Sequence, residues 1–596
     1  MSLLKSAATV GSLTLVSRVL GFVRDQLIAF VLGTGFVAEA FFVAQRFPNL
    51  FRALFAEGAF NNAFVPLFAK RVEGEGEAKA LDFAIEVFSF LLAWLIVFSA
   101  VAMMAMPLVI YVIAPGFKAD SETFQLTVDL TRICFPYLLF MSLTALQSGV
   151  LNSLNRFTAA AAAPILLNVV MIASNVVAWF LATGNTPETG YIFAWGLFAS
   201  GIAQFMLLAI ACRRAGMRLV PRWPRLTPDV KKVIKLSVPG IVSGGVMQIN
   251  LLVATMIATT LPSAVAFLYY ADRLYQLPLG VIGVAIGVVL LPDLSRRLRA
   301  GDDSGALNSQ NRALELSMFL TLPAAIALMA IPHPIIHTVF EHGAFTRSDT
   351  FAVAPALLAF ASGLPAFSLS KVFQPGFYAR EDTKTPMRFA VISVIVNVVG
   401  SVLLSRVMGH VGIALATSLA AWVNAVLLGI TLSRRGLFTL DERTRKRLPR
   451  IVAAALLMGA LLLALAVVMV WGSNFAIIGA TLHSLPPLLF ATLRFAAVVF
   501  PLIFFVRRPA VSWRILAGYG VAIGVGQFGL LFIAINGYIA AGLASLIVQS
   551  QVVFTIAMAM MTSGERLKPL QYGALALAIS GVAVIAGHTG GEVTIV

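Results

Sequence analysis

The chain has 596 residues, of which 59% are hydrophobic and only 12% charged, with a mean hydropathy of +0.92. That apolar load excludes a soluble enzyme or binding domain and marks an all-α polytopic membrane protein, because backbone in lipid must satisfy its own hydrogen bonds within a helix. The formal charge of +17 does not point to nucleic acid, since the basic residues cluster in short loops between apolar spans.

The first span, near 10–33, is the least ordinary. It is long enough to cross a bilayer, yet Arg18, Arg24 and Asp25 interrupt it. An arginine at mid-membrane costs about 2.5–3.5 kcal/mol on insertion scales, so it normally faces protein or a wet cavity. On a helix, Arg18 and Asp25 share a face with Gly21 between them, and Arg24 lies about 120° from Arg18. Met1–Lys5 runs straight into this span, with no cleavable signal visible. A second span, near 36–68, carries Glu39, Arg46, Arg52 and Glu57, and is interrupted by Pro48, Gly58 and Asn61–Asn62. Broken spans in transporters mark binding or hinge sites, or simply fit a helix to its neighbours.

Further spans are expected near 83–113, 124–151, 158–183, 190–212, 232–259, 263–293, 312–332, 350–378, 387–407, 411–432 and 449–471, then near 485–506, 515–536, 538–561 and 572–588, roughly seventeen in all. Every second loop is basic: Lys70–Arg71, Arg156, Arg213–Lys232, Arg296–Arg299, Arg380–Arg388 and Arg434–Arg450. This alternation predicts a cytoplasmic N-terminus and an outer C-terminus. Cys134 and Cys212 fall in or beside spans and imply neither a disulfide framework nor a metal site. His333, His337 and His342 flank one outer loop and read as surface residues.

An internal repeat is visible at an offset of roughly 227 residues. Met106–Phe117 pairs with His333–Phe345, Phe47–Pro48 with Leu277–Pro278, and Arg156 and Asn168 with Arg380 and Asn397. The shared order predicts two like-oriented six-span lobes, at 1–225 and 226–440, followed by a thirteenth span within 441–472 and a tail at 473–596. The second lobe contributes Asp272 and Arg273 within Tyr269–Pro278, inside a span. Arginine offers a permanently charged planar fork suited to phosphate or carboxylate. Arg18, Arg24, Arg52 and Arg273 facing one cavity would receive an anionic head group, with Asp25, Glu39, Glu57 and Asp272 positioning them and balancing charge. The plainer reading is that each arginine only locks helices through one of those acids. The charged motif Phe377–Pro386 and its partner Asn152–Phe157 suggest a latch between transport states. Neither a Walker A loop nor an HExxH motif, nucleophile elbow or polar carboxylate pair is present, so a non-enzymatic role without ATP hydrolysis is expected.

Residues 1 to about 470 resemble the MurJ/MviN family of lipid II flippases, which belong to the wider superfamily of multidrug and polysaccharide-lipid exporters. The motifs are Ser17–Asp25 (SRVLGFVRD), Phe47–Arg52 (FPNLFR), Phe55–Phe60 (FAEGAF), Ala114–Phe117 (APGF), Leu151–Asn152 with Asn155–Phe157, Tyr270–Arg273 (YADR), and Pro375–Tyr378 with Asp382–Pro386. The resemblance implies a V-shaped pair of six-helix lobes around a cationic cavity. By alternating access, that cavity would move a lipid-linked peptidoglycan precursor between leaflets of the bacterial inner membrane. It implies an undecaprenyl-pyrophosphate-linked muropeptide as substrate, with membrane lipids and cell-wall synthesis enzymes as further partners. No cofactor is expected beyond a coupling ion (Na+ or H+) or the membrane potential. The arginines that the family requires map onto Arg18, Arg24, Arg52 and Arg273, and its acid of the second span onto Glu39, a glutamate where the family has aspartate. An ion-coupled small-molecule exporter of the same superfamily and a non-transporting cell-wall scaffold are the alternatives. The tail departs from this pattern. Trp471–Phe475, Pro487–Phe495, Gly524–Phe532, Ala541–Gln549 and Gly564–Leu567 resemble one five-helix repeat of the EamA/drug-metabolite transporters, half of a full transporter.

Overall fold

A computed structural model gives the architecture. It describes residues 3–52, 60–119, 121–181, 183–482, 486–502, 511–536, 544, 548, 551–563, 576 and 579–580, and these form helices with no strand among them. The chain divides into two compact units, Met1–Ala460 and Leu461–Val596. Ten described helices are long and apolar enough to cross a membrane by length and composition.

In the first unit the helices run α1 Leu3–Leu32, α2 Phe36–Arg52, α3 Phe60–Glu75, α4 Glu77–Met104, α5 Met106–Ile113, α6 Glu122–Cys134, α7 Tyr137–Ser153, α8 Phe157–Phe180 and α9 Pro187–Arg214. They continue α10 Pro228–Thr259, α11 Ala264–Arg299, α12 Asp303–Ala330, α13 Pro332–Phe340, α14 Arg347–Tyr378, α15 Lys384–Met408 and α16 His410–Arg434, and α17 Glu442–Leu482 begins in the first unit and ends in the second. The second half repeats the first with single long helices, α11 and α14, where the first has the pairs α2–α3 and α6–α7. The short α5 and α13, each with proline in its first turn, occupy equivalent places after α4 and α12. Proline there lacks only an N–H that would be orphaned anyway, so it starts a helix that the preceding turn has ended. The span expected at 83–113 is therefore two helices, broken at Ala105. The one expected at 124–151 is broken at Pro136. The stretch 36–68 falls into α2 and α3, with Glu57 and Gly58 outside the described residues.

Several helix starts are fixed by side chains that satisfy first-turn N–H groups. Ser121 accepts from Phe124 N at 3.2 Å, Thr227 from Val230 N at 3.3 Å, and Asp302 from Gly305 N at 2.8 Å. Thr346 and Asp349 form a reciprocal capping box on α14. The loops after α7 and α14 share one device: Asn155 and Glu381 both adopt left-handed backbone, with φ of 58° and 62°. Beside them, Arg156 Nη1 donates to Arg214 O at 3.4 Å, and Asp382 Oδ2 accepts from Arg435 Nη1 at 2.7 Å. Each of these bonds stays within one half of the chain. The charged motifs expected to latch states are staples of their own lobe.

The core of the first unit is aromatic where the halves meet. Phe42 of α2 stacks on Tyr269 of α11 with ring centroids 3.8 Å apart, and Tyr270 meets Phe345 edge-on at 5.4 Å. All four side chains are buried. Burying such rings contributes about 1.5–3 kcal/mol each, and their paired geometry adds roughly 0.5–1.5 kcal/mol.

In the second unit, α18 (Pro487–Leu502) is followed by α19 (Trp513–Val521), a π-helical segment at Ala522–Gly529, α20 (Leu530–Ile535) and α21 (Gln551–Ser563). Leu482, Ala491, Phe532 and Ala544 belong to its small core.

Candidate functional site

The charges of α1 are organised by Asp25, which is only 4% exposed. Arg24 of the same helix donates to Asp25 Oδ1 from Nη2 at 2.7 Å and from Nε at 3.0 Å. From the other half, Tyr269 Oη donates to the same oxygen at 3.1 Å. Arg273, one turn further along α11, brings its Nε to 3.4 Å from Asp25 Oδ2. That last contact is an ion pair without hydrogen-bond geometry, and Arg273 Nε has no acceptor. The Arg273 guanidinium lies 4.5 Å above the Tyr269 ring. One buried carboxylate thus serves two arginines from opposite halves of the chain.

Two neighbours orient this group. Asn168 of α8 accepts from Arg24 Nη1 at 3.1 Å while its own Nδ2 donates to Ser17 O at 2.8 Å. It lies against Gly21, where a Cβ would stand 3.6 Å from the amide. Its repeat partner Asn397 instead donates to Asn250 Oδ1 of α10 at 2.8 Å. The second half therefore has a neutral amide pair where the first has Arg24. Arg18 crosses to α11 at Gly280, where an added Cβ would come within 1.7 Å of Arg18 Nη1. Lys371 of α14 lies within electrostatic reach of Arg18. Arg24 and Arg273 thus share Asp25, while Arg18, exposed two turns earlier on α1, and Lys371 form a second group of like charge.

The remaining acids do not pair as the sequence suggested. Glu39 is buried and accepts from Val265 N at 3.3 Å, so it caps the first turn of α11 rather than an arginine. Ser263, the residue before that turn, supplies no side-chain cap. Asp272 is bonded to Gln276 on its own helix and lies within electrostatic reach of Arg46. Arg46 donates from Nη1 to Thr255 Oγ1 of α10 at 2.8 Å. Arg52 stands at the end of α2 and donates from Nε to Asn49 Oδ1 at 3.1 Å. Glu57 lies outside the described residues. Of the residues predicted for the site, the structure joins Arg24, Asp25 and Arg273, and it places Arg18 against α11 at Gly280. It adds Tyr269 and Gly280, whose hydroxyl and missing side chain do not disturb an apolar helix, Asn168, visible in sequence only as a repeat match, and Lys371, whose charge inside the span near 350–378 was a signal that could have found it.

The halves also lock together around the C-terminal end of α1. Ala344 N donates to Phe30 O at 2.8 Å, Tyr270 Oη to Gly33 O at 2.8 Å, and Thr34 Oγ1 to Asp349 Oδ1 at 2.5 Å. Gly33 and Gly343 both have positive φ, and a Cβ on either would lie 2.4 Å from a carbonyl oxygen of the opposite half. At the other end, Arg71 pairs with Asp229 at 2.5 Å, holding the start of α10 to α3. No group of metal-ligating side chains occurs among the described residues.

Two repeat-related helical halves, meeting across the buried Asp25 and the arginines that share it, define a multi-pass membrane protein of the two-lobe transporter class. The sequence profile of the lipid II flippase MurJ family matches residues 28–481, and that of the EamA-like transporter family matches residues 457–587. A probable lipid II flippase MurJ of Rhizobium tropici is 50% identical over 461 residues, covering 77% of this chain and 86% of the relative. The lipid II flippase MurJ of Burkholderia cenocepacia is 36% identical over 470 residues, 78% of this chain and 90% of its own. The solved structure of a lipid II flippase MurJ in an inward closed conformation superposes with a TM-score of 0.65 at 26% identity, covering 76% of this chain and 91% of that one. An inward-facing multidrug transporter of the MATE family superposes with a TM-score of 0.61 at 14% identity, a likeness of fold alone, covering 74% of this chain and 99% of that one. The chain belongs to the lipid II flippase MurJ family.

Proposed function

We propose that this protein translocates lipid II, an undecaprenyl-pyrophosphate-linked muropeptide, from the inner to the outer leaflet of the bacterial cytoplasmic membrane, with no catalytic chemistry of its own. The observation that carries this reading beyond family membership is the sharing of Asp25 between Arg24 and Arg273. Two guanidinium groups on opposite lobes around a single carboxylate have charge left over for a second anion. A pyrophosphate offers the oxygens that planar forks engage in pairs. The Arg273–Asp25 contact, lacking hydrogen-bond geometry, is the one an entering phosphate displaces most readily. Arg18, held across Gly280, and Lys371 add to the attraction, while the lipid tail stays in the membrane.

With the N-terminus in the cytoplasm, the contacts around Gly33, Thr34 and Ala344 would lie on the outer side and hold that side closed. Opening there requires those hydrogen bonds to break, each worth roughly 0.5–1.5 kcal/mol, as the substrate draws Arg24 and Arg273 into a new arrangement. Return to the inward state would be driven by Na+, H+ or the membrane potential, the last worth about 2.3 kcal/mol per charge per 100 mV. Cell-wall synthesis enzymes would receive the product on the outer face. The test is complementation of flippase depletion. Arg24→Ala and Arg273→Ala, at normal membrane levels, are expected to fail to restore growth. Normal growth with either variant would contradict the proposed role of the arginines.

A further inference from the structure

The second unit contains a charge that flipping by the first does not use. Arg494 is the eighth residue of α18, whose sequence PLLFATLRFAAVVFPL is otherwise free of charge. It stands near the middle of the span expected at 485–506, where an arginine requires an anion or a wet cavity. Between Glu442 and Glu565 the sequence has no acidic residue. Arg494 is half-buried, and its Nη1 is buried with no hydrogen-bond partner. Among the described residues two aromatic rings flank the guanidinium, with the Phe528 and Phe532 centroids 5.5 and 5.9 Å away.

These rings are carried by the π-helical segment Ala522–Gly529 and by α20. Wide turns of this kind are uncommon and recur at functional sites. Next to Phe528, Gln527 Nε2 donates to Gln551 Oε1 of α21 at 3.0 Å, placing uncharged polar groups one residue from the rings. A Cβ added at Gly524 would meet nothing within 4 Å, so space is open on this segment.

We propose that Arg494 is the centre of an anion-binding site in the second unit, taking an amphiphile whose head is a phosphate or carboxylate and whose body is hydrocarbon. The fixed guanidinium selects the head, because its fork matches either oxyanion and its charge repels ammonium. The phenylalanine walls and the membrane depth select an apolar body over a hydrated inorganic anion.

The test uses the full chain in nanodiscs of zwitterionic lipid. Dodecyl phosphate, laurate and dodecyltrimethylammonium are added in turn, and bound molecules are counted by native mass spectrometry. Arg494→Gln is expected to weaken binding of both anions at least tenfold, Arg494→Lys to keep part of it, and an Arg24→Ala/Arg273→Ala chain to keep this binding event. Should Arg494→Gln not accumulate, Phe528→Leu keeps the charge and is expected to weaken binding several-fold. Unchanged anion binding in Arg494→Gln or in Phe528→Leu, or equal binding of the ammonium amphiphile, would overturn the proposal.

Discussion

Asp25 holds more of the site together than any arginine does. Removing its charge leaves Arg24 and Arg273 facing each other in a buried setting, and loss of one partner from such a group costs about 3–5 kcal/mol. Asp25→Asn is therefore expected to lower the thermal stability of the purified protein, whereas Arg273→Gln, which leaves the Arg24–Asp25 pair intact, lowers it much less. Equal melting temperatures for the two variants would contradict this ranking. Gly280 is the complementary case. The atom that a Cβ would meet is the end of the flexible Arg18 side chain, so Gly280→Ala should fold normally but displace Arg18 and reduce translocation. Wild-type translocation by Gly280→Ala would show that the position of Arg18 against α11 does not matter. At this scale the sequence was legible where a charge stood in an apolar span, which is why Arg18, Arg24 and Arg273 stood out. Glu39 also stood out, but its role did not. A carboxylate that caps a distant helix and one that pairs with an arginine look alike until the chain is folded.

Among the elements, α1 and the α13–α14 connection form the contact most exposed to test. Thr34→Val removes the bond to Asp349 while keeping the side chain's shape, and Asp349 keeps its capping bond from Thr346 N at 2.7 Å. The loss of about 1 kcal/mol is expected to shift the population roughly fivefold toward the outward-open state. Distances between spin labels across this end read that shift directly, and an unchanged distribution would place the closure elsewhere. The α14–α15 loop gives a pH expectation. The Arg435 guanidinium and the Thr385 N–H hold the Asp382 carboxyl down at about 2. A carboxylate with a lowered folded value stabilises above its ordinary pKa near 4 and loses that contribution as pH falls toward 2. The staple should thus be indifferent to pH between 5 and 8, and a melting temperature of the wild type that Asp382→Asn fails to match equally at both values would support it. A difference confined to pH 8 would not. The helices themselves were readable from hydropathy, but their breaks were less so. Ala105 divides an apolar run that remains continuous in composition, whereas Pro136 interrupts the hydrogen-bond ladder while the backbone stays helical.

For the whole molecule, the repeat and the tail make different demands. The paired order of elements was visible in sequence through short motifs such as Met106–Phe117 and His333–Phe345, because the same break recurs in both halves. The asymmetry between the halves was hidden, since Asn250 and Asn397 carry no charge to draw attention where Arg24 and Asn168 meet in the first half. The family profile for the flippase ends at residue 481, and α17 ends at Leu482. A chain ending after Leu482 is accordingly expected to complement flippase depletion, with growth rate as the readout. Failure despite normal membrane levels would make the residues after Leu482 part of the flipping machinery.

The central claim is that arginines from both lobes move a lipid pyrophosphate across the bilayer. Its most direct test is the reconstituted full-length protein in liposomes, with fluorescent lipid II in one leaflet and the rate of its appearance in the other as the measurement. The wild type should translocate lipid II, and Arg24→Ala and Arg273→Ala should each reduce the rate at least tenfold while remaining folded. Translocation at the wild-type rate by either folded variant, or no translocation by the wild type, would contradict the account.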